Sequence, residues 1–492
     1  MLHRWCICLL LLSSSVTFAD NKANPNHLSR AQSSPTLPVT TSSEKARKHF
    51  EHAMRRFEEY RIDETLQELR EAVKNDPKFA QAFILIAKIS KDPVEQTAAR
   101  QQARHWSAGV TPGEQRLIHW LAWAQQDDYL AAIAAMNDLL ARYPEDHRLA
   151  FLAGDWLTLQ ERYQQAAVVL QHALTLWPNY PAALNDLAYT YAYSGDFDKA
   201  FAVMDRYVAL EPDQPNPHDS YGEILRMAGK FDAALEQYRT SVHIDPNFGS
   251  EVGIADTYAV MGREQDARDE YGRAIVFAGS QSDKIQYELQ SAVTWIRENN
   301  RKPAEKALAE VAKHAHGAGL ALWEAEAHRV LAMYEPDSKS MMRELQSAQQ
   351  VLQEPHVLSQ SDRDEERARL LRVQSTRTAE AGDLQSAAEA VSQLETMAGR
   401  SRSEVIQLAY HGAAGALLSA QGKFAEAISH LEEDSHDPVS MRLLWRAYSS
   451  TGAVTQAQTL ASRLAALNVP TVEQALVVPQ FRATLVSQAG RP

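Results

Sequence analysis

Apolar and polar positions alternate with a helical rhythm along most of the chain. Between residues 181 and 214, Leu184, Leu187, Ala188 and Tyr191 recur at spacings of 3, 1 and 3, one face of a helix. Gly195-Asp196 ends that helix, because glycine accepts the left-handed conformation that follows a helix. Phe197, Ala200, Met204 and Tyr207 form the face of a second helix, and Pro212 stops it by lacking an N–H to donate. The pattern predicts two antiparallel helices and a tight turn.

The same unit recurs. Pro144, Pro178, Pro212 and Pro246 follow one another at an even step. Ala132, Ala166, Ala200 and Ala234 keep the same step, and so do Tyr129, Tyr163, Phe197 and Phe231. Three consecutive units cover 147–180, 181–214 and 215–248. A fixed period of about 34 residues means stacked helix pairs, each too small to bury its own apolar face. Gly154, Ala188, Gly222 and Ala255 sit mid-way along the first helices, where small side chains let two helices approach closely. Trp120 stands in that place one period earlier: core packing is the default for such an aromatic, and a splayed helix pair with a local pocket is the alternative. Trp177 is expected to plug the junction between two units.

These residues, matching together over three periods, resemble the tetratricopeptide repeat family. The resemblance is sharp over residues 113–278 and looser at 46–77, where Tyr60-Arg61-Ile62-Asp63 lacks the expected glycine. It implies an all-α fold, a right-handed α-solenoid of antiparallel helix pairs. The expected organisation is a repeat array over 44–280, irregular helical repeats over 281–355, and a second repeat-like region over 356–492. About a dozen helix pairs are expected, with a terminal helix at 471–488 capping the last apolar face.

Ahead of the array, residues 1–19 read as a cleavable export signal. Arg4 precedes the apolar stretch 7–12, and Thr17-Phe18-Ala19 supplies small residues for cleavage after Ala19. Residues 20–43, rich in Asn, Ser, Thr and Pro, are expected to form a flexible tether. Cys6 and Cys8 are the only cysteines and would leave with the signal, so helix packing alone must hold the mature chain. Its final place is expected to be the periplasm or the outside of the cell.

Charge narrows the partners. Acids exceed bases by 13, and by 14 once Arg4 is removed. An acidic chain is a poor match for nucleic acid or anionic lipid, and no later stretch is long and apolar enough to span a membrane.

Catalytic signals are sparse. The chain has no phosphate-cradling glycine loop followed by Lys, no GxSxG turn and no HExxH pair. His218-Asp219-Ser220 holds triad residue types side by side, but triads assemble in space, so helix capping and surface exposure are expected. His49 and His52 share a helix face without a third ligand, and His314 and His316 lie near a helix end. No cofactor or metal is expected.

The family resemblance implies a concave surface lined by first helices. Carried onto these units, the lining is Phe151, Asp155 and Thr158, then Asn185, Tyr189 and Tyr193. Next come Asp219, Glu223, Arg226 and Met227, then Val252 and Asp256. Such a surface is net acidic with two added tyrosines, suited to a basic or neutral peptide or protein segment. Places that hold lysines in carboxylate-clamp relatives hold acids and tyrosines here. The expected function is a non-enzymatic binding scaffold. A small-ligand binder or sensor, using 280–355 or the space beside Trp120, is the alternative.

Overall fold

A computed structural model describes residues 35–354 and 358–489. The signal at 1–19, residues 20–34 of the tether and the Pro355-His356 break lie outside the described residues. Among the described residues there are twenty-five α-helices and no strand. They form antiparallel pairs stacked side by side, the all-α solenoid that the period predicts.

The register is visible at the turns. Asp127, Glu161, Gly195 and Gly229, each one period after the last, all adopt positive φ, at 60°, 57°, 83° and 76°. Tyr60, the turn without a glycine, has φ 59°. The left-handed position is therefore a property of the repeat, and a non-glycine there costs about 1–2 kcal/mol. The small residues also act as expected. A Cβ on Gly154 would fall 2.5 Å from the Leu170 side chain, and one on Gly222 would fall 2.9 Å from the Tyr238 ring. Trp120 is absorbed by the core: it is fully buried, its ring edge-on to Trp156 at 5.7 Å, and it lines neither cavity described below. Trp177 stacks on Tyr180 at 4.9 Å yet stays 41% exposed.

Two expectations are corrected. First, residues 37–43 are a docked strap, not a tether. The Leu37 N–H donates to Asp146 at 2.8 Å, the Thr40 N–H to Glu114 at 2.7 Å, and the Thr41 hydroxyl to Asp76 at 2.6 Å. These buried carboxylates satisfy backbone that would otherwise need water. Second, the terminal helix Val472–Ala489 does more than cap. Val477, Val478 and Phe481 cover the last pair, and Phe481 meets Trp445 edge-on at 5.1 Å. Val472 and Ala475 also join the core around Ile285, Leu289 and Val293 in the helix Gln281–Arg297, several repeats earlier in the chain. Pro479 lies within the terminal helix without ending it.

The coil then closes on itself. The Tyr129 hydroxyl donates to Glu365 at 3.0 Å, Ser361 to the Gln125 carbonyl at 3.1 Å, and Arg162 pairs with Glu404 at 3.1 Å. Arg226 donates to the Asn468 carbonyl at 3.0 Å. These partners are 236 to 242 residues apart, about seven repeat periods, so one superhelical turn returns onto the previous one. Other contacts reach from the amino-terminal pairs into later repeats: Tyr60 to Asp186 at 2.5 Å, Lys88 to Asp155 at 2.9 Å and Lys91 to Asp283 at 2.6 Å.

Candidate functional site: the concave surface and the lumen

The first helices of the central repeats present their residues to the inside of the coil, because their apolar stripes are taken up by the paired helices. Nine of the twelve expected lining residues share the wall of one narrow cavity: Asp155, Asn185, Tyr189, Tyr193, Asp219, Glu223, Arg226, Met227 and Asp256. The other three stand behind it. Phe151 packs against Tyr180 at 5.6 Å, Thr158 bonds Thr190 at 3.0 Å, and Val252 lies in the core beside Tyr271.

This wall is not the open groove expected from the sequence. Phe151, Asp155, Thr158, Asn185, Asp219, Arg226, Val252 and Asp256 are buried, and Tyr189, Tyr193, Glu223 and Met227 are half-buried. The chain itself covers them, with Tyr60 and Ile62 on one side and Val469, Pro470 and Thr471 on the other. The space left is about 130 Å³, well below the few hundred a drug-sized ligand needs.

Its charge is partly answered from within. Lys88 pairs with Asp155. Arg226, fully buried, donates to Glu223 at 3.1 Å, and the Tyr189 hydroxyl donates to the other Glu223 oxygen at 2.8 Å. The Tyr271 hydroxyl donates to Asp256 at 2.5 Å. Burial pushes the Asp219 carboxyl up to about 7, against a hydrogen bond from Ser250 that favours the anion. Two ion pairs and two tyrosine hydroxyls thus answer part of the acidic charge of this wall.

His218-Asp219-Ser220 differs from the capping, exposed trio that the sequence suggests. All three are buried, and Gln214 is the N-cap of their helix. His218 contacts Gln237 at 2.7 Å and the Pro212 carbonyl at 2.9 Å, a packing role with no nucleophile in line. His49 and His52 lie 2.6 and 4.0 Å from Glu68, and His314 lies 2.8 Å from Glu288. Among the described residues no group of three or more metal-ligating side chains converges.

A larger space, about 900 Å³, lies inside the coil and was not read from the sequence. Tyr163, Tyr193, Phe197 and Met227 form one side, from the central repeats. Arg329, Met333, Arg372, Arg442, Leu476 and Val477 are among those opposite, so part of the irregular middle region lines it. The walls meet only because the superhelical turn closes, and no repeat-level signal marks that.

Tetratricopeptide-repeat family models match residues 120–181 and 157–224. No curated protein matches the chain. Among solved structures, a tetratricopeptide repeat protein from Parabacteroides merdae aligns over 55% of this chain and 94% of its own, at 11% identity and TM-score 0.35. YrrB, described as a tetratricopeptide-repeat protein with an unusual peptide-binding site, aligns over 38% and 96%, at 16% identity and TM-score 0.26. The Cut9-Hcn1 tetramer of the APC/C aligns over 82% and 76%, at 16% identity and TM-score 0.42. Residues 120–224 are therefore tetratricopeptide repeats.

Proposed function

We propose that this protein is a non-catalytic scaffold that holds a neutral or basic segment of a partner protein against its concave wall. Tetratricopeptide repeats support protein–protein interaction, and among the described residues no helix is long and apolar enough to cross a membrane. The reading includes export by residues 1–19 and action in the periplasm or cell envelope.

One observation carries the reading. The wall already grips an uncharged loop of its own chain, Asn468 to Thr471. Arg226 donates to the Asn468 carbonyl, and the Asn468 amide reaches the Met227 carbonyl at 3.5 Å. A partner segment would take these same backbone contacts by displacing that loop. Recognition through main-chain groups with side chains alongside is a common way to hold an extended peptide.

The test is crosslinked capture from a native envelope fraction. Wild type is compared with Glu223→Lys, which alters a half-buried lining position, and with Pro470→Gly, which loosens the resident loop. Loss of a captured protein in Glu223→Lys and its enrichment in Pro470→Gly are expected. Equal capture by all three moves the interface elsewhere. Substrate turnover by purified protein contradicts the non-catalytic part. A second reading, small-ligand binding, is favoured by the 900 Å³ space.

A further inference from the structure

The lumen has an uneven chemistry. Most of its wall is apolar, with Met227, Met333, Val373, Leu476 and Val477 among the lining residues. The wall holds six arginines and no lysine against four acids, in a chain where acids outnumber lysines and arginines by 13. Arginine offers a planar fork that fits a carboxylate, whereas lysine offers a point charge.

The deep arginines are already committed. Arg372 lies 2.6 Å from Asp434 and 2.7 Å from Asp437. Arg329 holds Glu366 at 2.7 Å and Glu326 at 3.1 Å. Arg377 donates to the carbonyls of Ala332, Met333 and Glu335 and so caps the helix Ala321–Tyr334. Arg463 differs. It is exposed, and its hydrogen bond is to the Ser435 carbonyl at 3.4 Å, with no carboxylate paired to it among the described residues. Arg442 shares only the exposed Glu380, at 3.1 Å. His436 lies beside Arg463 in the same wall, and its buried Nδ1 has no hydrogen-bond partner among the described residues. The mostly apolar chamber therefore carries two under-committed guanidiniums in its wall, Arg463 and Arg442.

We infer that the lumen binds a small amphipathic acid, with an apolar chain among Met333, Leu476 and Val477 and its carboxylate on Arg463 and Arg442. The volume is within the range of small-molecule sites, and the wall offers both apolar side chains and under-committed guanidiniums, as such a molecule requires. The chamber shares Tyr193, Met227, Val469 and Thr471 with the partner wall, but Arg442 and Arg463 lie outside that wall, so the double arginine variant tests the chamber alone.

The experiment titrates delipidated mature protein with decanoic acid, decan-1-ol and a short apolar peptide with a free carboxyl terminus. Calorimetry and thermal shift are the readouts. Saturable binding of one decanoate per chain is expected, with decanol at least about tenfold weaker because the paired charge is missing. Arg442→Gln/Arg463→Gln should weaken decanoate by about tenfold or more and leave ligand-free melting unchanged. Met333→Trp fills the chamber and should abolish decanoate binding. If decanoate does not saturate, if decanol binds equally, or if the double variant binds as wild type does, the inference is overturned. Tighter binding of the peptide, blocked by Met333→Trp, overturns the ligand class and assigns the chamber to protein tails.

Discussion

Tyr60→Phe isolates one contact on which the closed coil depends. The Tyr60 hydroxyl donates to Asp186 at 2.5 Å and lies 3.2 Å from the Ala182 carbonyl, 122 to 126 residues away along the chain. Asp186 is 2% exposed, so its carboxylate has little recourse to water once that donor is removed. Phenylalanine keeps the ring, so no cavity term enters. A hydrogen bond to a buried charged group contributes about 1.5–3 kcal/mol. At about 2 kcal/mol, local opening becomes roughly thirtyfold more frequent. Repeat arrays need not unfold in one step, so hydrogen exchange of the helices Glu44–Glu58 and Pro181–Tyr193 is the assay. Protection should fall in both, although they are distant in sequence. Tyr448→Phe is the control, because its hydroxyl meets the exposed Glu432 at 2.6 Å and a loss below about 0.5 kcal/mol is expected. If Tyr60→Phe changes protection no more than Tyr448→Phe, the amino-terminal pair does not rest on the concave wall and the reasoning fails.

Other substitutions test the register and the buried charges. Ala200→Trp, at a fully buried position, should destabilise its repeat by about 1–3 kcal/mol or more in urea unfolding, and an unchanged midpoint would refute the close approach. Gly195→Ala meets no atom within 4 Å but sits at φ +83°, so backbone strain alone should cost about 1 kcal/mol. Burial, and then Arg463, push the His436 imidazole down to about 4, while in the unfolded chain it titrates near 6.5. Between those values the unfolded chain takes up a proton that the fold refuses, so this group's stabilisation fades as pH falls from about 6.5 toward 4. Asp219 has the opposite sign. Held near 7 in the fold and about 3.9 when unfolded, its contribution is present in acid and lost as pH rises toward 7. His436→Gln and Asp219→Asn should therefore tilt a melting temperature–pH profile in opposite directions, and matching profiles would contradict the burial of both.

The repeat register was legible because each helix pair touches mainly its neighbours. The close packing at Gly154 and Gly222 and the left-handed turns at Gly195 and Gly229 follow from positions related by the repeat period. The same turn at Tyr60, Asp127 and Glu161 was hidden, since nothing in those residue types announces positive φ. Nine of the twelve residues assigned to the concave surface meet in one wall, while Phe151, Thr158 and Val252 pack behind it. Their exposure was misjudged because it depends on how far the superhelix winds. Winding sums many small rotations between repeats, and no local pattern encodes that sum. Arg226 shows the difficulty. From the sequence it is a surface cation in an acidic groove, and only the return of Asn468 from 242 residues away makes it a buried anchor. The lumen arginines were missed for the same reason.

Closure of the superhelical turn underlies both the occupied wall and the chamber, and a proximity measurement tests it most directly. Asp127 accepts from the Ser401 hydroxyl at 2.6 Å, across 274 residues. In a chain whose Cys6 and Cys8 are replaced by serine, Asp127→Cys and Ser401→Cys are introduced together and treated with a short bismaleimide. The account predicts rapid crosslinking within the monomer at high dilution, with the joined peptides identified by mass spectrometry. An uncrosslinked monomer, with each single-cysteine variant still modified normally, would mean that the solenoid is open and that neither the covered wall nor the arginine-bearing chamber exists in solution.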